Sequence, residues 1–424
     1  MEGRERERRE ADVLRRAVRR NTLLLAASLA VSSTLLQLVA ALSSLTFVDV
    51  SGVEGLLGLG PALFLTSAAL AAFPAGRAMD RFGRVPVLAT GFASGATGAA
   101  VTALGAATSS TPVVVLGFVL LGAAGATAAL TRTAGGDMYP PERRGRGIAL
   151  VLSGAVFGSI LGPAVFGPLF AGRDVAGRDL VAPWLVGAGL MVVGLLIVLA
   201  VRPDPRRIAE LLAGDAGGRS EPPRAPLGET LRRPGVVPAV LAAVASFSVM
   251  VAVMNLTGYV VVDHHDHAQS SVFPIIGAHV LGMYALILVV GIVVDRVGRR
   301  EALVGGLALM AVSVAPVVWL ESVPATMVLL FGLGLGWNLS WVAAASELVD
   351  RTGPSERGRL VGFTDLVAGL TGAALALAGG YALDALGVAA LAFGAAALVT
   401  APALWILRLR PATPGPASAA ARGR

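Results

Sequence analysis

Four ionisable residues stand where this chain can least easily hold a charge. Arg132, His279, Glu347 and Asp365 each interrupt a long apolar run. A charge inside such a run is costly, and it persists where it finds a partner or helps to move protons and ions. An arginine paired with Glu347 or Asp365 would make an inner gate or a proton site; long side chains reaching out to a polar boundary are the plainer alternative. His279 lies in Gly277-Ala278-His279-Val280-Leu281-Gly282, and an ordinary imidazole pKa of about 6.5 suits proton uptake and release. A neutral histidine bonded to a neighbouring helix explains it as simply. Gln37, Asn255 and Asn338, with Trp337 and Trp341, offer hydrogen bonds and aromatic walls of the kind that hold amphipathic organic molecules. Helix packing would account for each of them separately.

Other chemistries are poorly served. Cysteine and lysine are both absent, which removes disulfides, thiolate metal sites, cysteine nucleophiles and the lysine of a phosphate-binding loop. ATP-driven work within this chain is therefore not expected, and no serine–histidine–acid or metal-protease spacing points to an enzyme. The run Asp263-His264-His265-Asp266-His267 has the side chains of a divalent-ion site. Consecutive residues rarely converge on one ion, so no metal and no cofactor is expected.

The elements that must position these residues are long apolar helices. Hydrophobic residues make up 55% of the 424-residue chain and charged residues 14%, with 53 glycines. A helix needs about 20 apolar residues to cross a bilayer, and small residues let such helices pack closely. Charge-poor runs give twelve spans, at roughly 22–47, 53–75, 85–107, 112–136, 147–171, 180–201, 236–262, 271–290, 302–320, 324–348, 360–380 and 388–407. The expected fold class is therefore an all-α membrane protein of two six-helix halves.

Arginine placement orients the spans. Of 34 basic residues, 31 fall at the termini or in alternate loops, leaving Arg173 and Arg178 in the opposite loops and Arg132 within a span. Positive residues stay cytoplasmic, so both termini are expected inside. The net charge of +7 thus reflects topology and not nucleic-acid binding. Residues 1–21 read as a basic cytoplasmic N-terminus without a cleaved leader. Residues 22–201 and 235–407 form the two bundles, 202–234 a charged Gly/Pro-rich linker, and 408–424 a disordered tail.

The halves repeat each other. Gly76-Arg77-Ala78-Met79-Asp80-Arg81-Phe82-Gly83-Arg84 is matched by Gly291-Ile292-Val293-Val294-Asp295-Arg296-Val297-Gly298-Arg299. Asp137, Pro141, Arg144, Gly145 and Arg146 recur as Asp350, Pro354, Arg357, Gly358 and Arg359. Two pairs at nearly one offset indicate duplication. On these residues the sequence resembles the major facilitator superfamily, whose signature loop lies between the second and third helices. The resemblance implies a twelve-helix carrier with a central cavity, worked by rocking its halves. Arg84 with Asp137, and Arg299 with Asp350, would form a cytoplasmic latch; topology anchoring alone is the simpler reading. The glycines would permit a tight turn with close helix approach, and Asp80 and Asp295 would cap a helix or pair with arginine.

Gly154, Gly158, Gly162, Pro163 and Gly167 in the fifth span resemble the glycine–proline motif of proton-exchanging exporters, although Phe166 stands where a second glycine is usual. Those exporters also carry an early arginine in the fourth span, whereas this chain has Gly117-Phe118-Val119-Leu120-Leu121. The resulting expectation is a monomeric, multi-pass protein of a bacterial cytoplasmic membrane. It would exchange protons for amphipathic small molecules, with multidrug resistance as one consequence. A proton-linked uptake carrier and a substrate sensor on a carrier scaffold are the alternatives.

Overall fold

The computed structural model describes residues 2–140, 143–171, 176–213, 226–352 and 354–409. Among them it contains helices and no strand. Eleven helices are long and apolar enough to cross a bilayer, and one bent pair makes a twelfth. A helix satisfies every backbone hydrogen bond within its own segment, which hydrocarbon demands. In chain order they are α1 (Glu2–Ser51), α2 (Leu59–Phe82), α3 (Arg84–Ala107), α4 (Thr111–Ala129 continued by Thr131–Asp137), α5 (Arg144–Phe170) and α6 (Val181–Leu199). The second half has α7 (Val236–Tyr259), α8 (Val272–Tyr284 and Ile287–Val297), α9 (Arg299–Val314), α10 (Val323–Arg351), α11 (Pro354–Leu386) and α12 (Val388–Arg408).

The two halves pack alike. In the first, α1 lies on α5 and α6, α2 on α4, and α3 on α4 and α6; in the second, α7 lies on α11 and α12, α8 on α10, and α9 on α10 and α12. Across the halves α2 meets α11, α5 meets α8, and α1 meets α7. An even number of spans puts the start of α1 and the end of α12 on one face, the arginine-rich one.

The halves approach most closely towards the opposite, arginine-poor face. Ser44 Oγ donates to Asn255 O at 3.3 Å, and the Phe273 ring of α8 lies 5.6 Å from Phe166 and 5.0 Å from Phe170 of α5. A Cβ on Gly58 would fall 2.2 Å from Ala376 O, and one on Gly258 2.3 Å from Ala41 O. Glycine is what lets these backbones touch.

Several boundaries differ from the sequence expectation. The basic segment 1–21 is not separate from the first span, because α1 is helical from Glu2. Alternating arginine and glutamate are good helix formers, and Arg15 pairs with Asp12 at 3.4 Å. The signature residues do not form a loop either. Nothing from Gly76 to Phe82, or from Gly291 to Val297, stops a helix, so α2 and α8 run on until Gly83 and Gly298 turn the chain at φ +99° and +107°. Gly76 and Gly291 have open space beside them, so they permit no close approach. The eighth span is longer than 271–290 and bent by 50° between its two segments. The linker forms helices over Pro205–Ala213 and Leu227–Arg232, with Ile208 fully buried; its residues 214–225, and the tail from 410, lie outside the described residues.

Candidate functional site

The arginine-rich face carries two matched ion-pair clusters. Because α3 starts immediately after the Gly83 turn, Arg84 projects back towards the end of α4, and its Nε lies 2.7 Å from Asp137 Oδ2. Asp80 is 3.7 Å from the same guanidinium, and Arg84 Nη1 also donates to Met79 O. In the second half Arg299 Nε lies 3.3 Å from Asp350 Oδ2, and its Nη1 2.7 Å from Asp295. The first pair is the more enclosed, with side chains 13% and 19% exposed against 29% and 48%. Losing one partner of an enclosed pair is therefore the more damaging change, since a half-exposed pair contributes only about 0–1 kcal/mol. Arg81 stacks on the Phe82 ring at 5.2 Å. Arg296 has no part in the Arg299 pairs, and the side chains of Arg144 and Arg357 lie outside the described residues.

Neither Asp80 nor Asp295 caps a helix; that role falls to a residue the sequence reading did not single out. Asp204, just past α6, accepts from the Arg84 amide at 3.1 Å and the Val85 amide at 2.8 Å, closing the N-terminus of α3. Such a cap is worth about 1 kcal/mol. Arg206 reaches the carbonyls of Asp80 and Arg81 at 2.8 and 3.0 Å, Asn21 donates to Pro203 O at 2.9 Å, and Arg20 donates to Arg202 O. The linker thus starts strapped to the first half. A carboxylate between Pro203 and Pro205, directly after an apolar span, is the clue that was legible.

The glycines of α5 accommodate α1. Cβ atoms on Gly154, Gly158 and Gly162 would fall 2.0 Å from Ala26 O, 2.6 Å from Ser33 Cβ and 2.5 Å from the Gln37 amide, whereas Gly167 has nothing within 4 Å. Gln37 is buried, and its Nε2 donates to Gly158 O at 2.6 Å. Pro163 lies inside the continuous helix, against Gly277 of α8. Asn255 is buried, with Nδ2 donating to Val251 O at 2.7 Å. Gln37 and Asn255 therefore sit within helix contacts.

Between the halves, Arg132 of α4 meets Asp365 of α11 at 3.7 Å, both partly exposed. Glu347 takes no part; it pairs with Arg351 at 3.0 Å beside Gly235, at the start of α7. Arg132 is within electrostatic reach of the Tyr284 hydroxyl on α8. Tyr284 stands edge-on to Trp337 at 6.2 Å, Trp337 stacks on Trp341 at 5.7 Å, and Trp341 lies 5.7 Å from Phe247 of α7. One ring cluster is thus drawn from three helices of the second half, and the charge of Arg132 reaches its Tyr284. The sequence reading missed Tyr284 and Phe247, since an aromatic residue in an apolar run carries no signal of its own. Trp337 Nε1 and Asn338 Nδ2 are buried and have no acceptor.

His279 is fully enclosed, and its Nδ1–H donates to Leu330 O at 2.8 Å. In the 263–267 run His265 and His267 stand edge-on to each other at 6.4 Å. His264 stands edge-on to Tyr259, while His267 Nε2–H donates to Glu321 O at 2.7 Å. Burial pushes the His265 imidazole below its ordinary pKa, offset in part by Glu321. Among the described residues no three His, Asp or Glu side chains could hold a metal ion.

A family model described as Major Facilitator Superfamily matches residues 22–278 and 242–424. The chain is 28% identical to the uncharacterized MFS-type transporter YddS of Bacillus subtilis (strain 168), over 77% of this chain and 76% of that protein. It is 29% identical to the riboflavin transporter RfnT of Brucella anthropi, over 83% of this chain and 86% of that protein. Among solved structures, it is similar to the xylose transporter XylE from E. coli in a partially occluded inward open conformation. The TM-score is 0.70 at 13% identity, covering 94% of this chain and 99% of that one.

Proposed function

The chain belongs to the major facilitator superfamily, and from that premise we propose that this secondary transporter of small molecules exports amphipathic compounds in exchange for protons. It is a multi-pass membrane protein and not an enzyme. The observation that carries the proposal is the Arg132–Asp365 pair, which joins α4 of one half to α11 of the other. Protonating Asp365 cancels the attraction and frees the halves to part on that face; deprotonation draws them together again. Because both halves furnish the site, one chain is sufficient and the working unit is a monomer. The positive-inside rule makes the arginine-rich face cytoplasmic. Export is supported by the glycine–proline resemblance of α5.

Proton-linked uptake is the second reading, favoured by the similarity to a protein named a riboflavin transporter. Riboflavin is accordingly a useful probe: it is fluorescent and has a flat amphipathic ring system. In proteoliposomes under an imposed pH gradient, export by exchange drives riboflavin against the proton flow. Movement with the protons establishes uptake instead. A protein that binds the probe and moves nothing is a sensor, and that result overturns both readings.

The ion pairs at the two single-glycine turns are proposed as latches that break and re-form as the halves rock. Arg84→Asp and Asp137→Arg should each reduce transport at least about 10-fold, and the double exchange should recover much of it, as measured by flux at matched expression. No recovery in the double variant would remove the latch and leave these charges as topology anchors.

A further inference from the structure

We propose that the ring cluster of the second half binds a flat ring system bearing a hydrogen-bond acceptor, such as a carbonyl oxygen, with Trp337 Nε1–H as its donor. The inference rests on the carrier reading and adds the chemistry of what is carried. Phe247, Tyr284, Trp337 and Trp341 come from three helices and stand within 5.7–6.2 Å of one another along the series. Flat rings pack against such faces with little loss of side-chain freedom, whatever their substituents.

The polar groups at the cluster set the substituent. Trp337 is 8% exposed and packs against Trp341 and Tyr284, so its unpaired N–H belongs to the cluster itself. Asn338, 2% exposed, carries another unpaired donor on the same helix, about 100° round from Trp337. The contrast with Trp184 is informative, because that fully buried indole donates to Thr46 Oγ1 at 3.2 Å. A buried donor without an acceptor is destabilising, and the cost is recovered when a ligand supplies one. Arg132, whose charge reaches the Tyr284 hydroxyl, is also donor-only. Asp365, the carboxylate that bridges the halves, is already engaged by Arg132, so an organic cation finds no free counter-ion in that pair. Donors without a free anion select an acceptor-bearing ring over an ammonium.

Fluorene and 9-fluorenone test this directly, since they are flat tricycles of similar size that differ by one carbonyl oxygen. Binding to the full chain in nanodiscs is measured with partition into empty nanodiscs subtracted. The wild-type protein should favour fluorenone by about 5- to 10-fold, the usual effect of one hydrogen bond in a dry site. Trp337→Phe keeps a ring and removes the N–H, so it should bring the ratio to about 1 while changing fluorene binding less than about 2-fold. An unchanged ratio in Trp337→Phe overturns the inference, as does equal binding of the two ligands by the wild type. Trp184→Phe, which removes a buried indole N–H outside the cluster, should leave the ratio intact and reports on folding. Failure here with gradient-driven riboflavin flux intact sinks the inference alone. Loss of all gradient-driven flux with the fluorenone preference intact sinks the carrier reading alone.

Discussion

Asp365→Asn is expected to abolish the dependence of transport on a pH gradient. The amide is a neutral stand-in for the protonated carboxyl, so the variant holds permanently the state that wild type reaches only with a proton bound. Arg132 then lacks the attraction that joins α4 to α11 across the halves. Gradient-driven flux should fall at least about 10-fold, while equilibration of substrate without a gradient continues. The protein should still fold, because a pair this exposed contributes only about 0–1 kcal/mol. Arg132→Gln should lose the same component. His279→Gln is the informative comparison: the imidazole is enclosed and committed to Leu330 O, so its pH profile should match wild type. Flux in proteoliposomes at three internal pH values separates the cases. A wild-type pH profile in Asp365→Asn would eliminate the pair as the proton site.

A larger mechanical effect is expected from a single methyl group at Gly258. Its Cβ would fall 2.3 Å from Ala41 O, 3.0 Å from the adjoining carbonyl carbon and 3.2 Å from Ala41 Cα. These are backbone atoms of α1 and cannot swing aside. Overpacking of this kind costs about 1–3 kcal/mol, and here the cost falls on the contact between halves and not on either bundle. The population closed on the arginine-poor face should drop by about 5- to 150-fold. The chain has no cysteine, so Ser44→Cys gives a single reporter at the same contact. A membrane-impermeant maleimide should label that cysteine slowly in the parent and rapidly when Gly258→Ala is added, with transport lost. Gly167→Ala, where the added carbon meets nothing within 4 Å, should behave as the parent. Slow labelling and full transport in Gly258→Ala would show that this contact does not govern closure.

Much of the fold was legible because membrane helices announce themselves by length and composition, and because arginines avoid alternate loops. The duplication was equally visible, since Asp80, Arg81, Gly83 and Arg84 return at Asp295, Arg296, Gly298 and Arg299. Helix ends were harder to read. Polar residues such as those from Gly76 to Phe82 end an apolar run without ending a helix, so the turns shrank to single glycines. Pairings across the sequence depended on residue type. Arginine–carboxylate pairs at matched loops could be proposed from charge alone, yet which acid Arg132 meets is decided by packing, and the structure gives Asp365, not Glu347. The aromatic cluster was half legible: Trp337 and Trp341 share a helix face four residues apart, whereas Phe247 and Tyr284 arrive from other helices.

The Asp204 cap implies that the two repeats have ceased to be interchangeable. After the first repeat the chain reads Val201-Arg202-Pro203-Asp204, and after the second Leu409-Arg410-Pro411-Ala412. Only the former supplies a carboxylate, and it is spent on α3 of its own half. Whatever ancestor was duplicated, the order of its copies along the polypeptide now matters. Reversing that order would keep every intramembrane pairing within each bundle, yet it would place the Asp204 strap at a free end, no longer anchoring the connection to the other half.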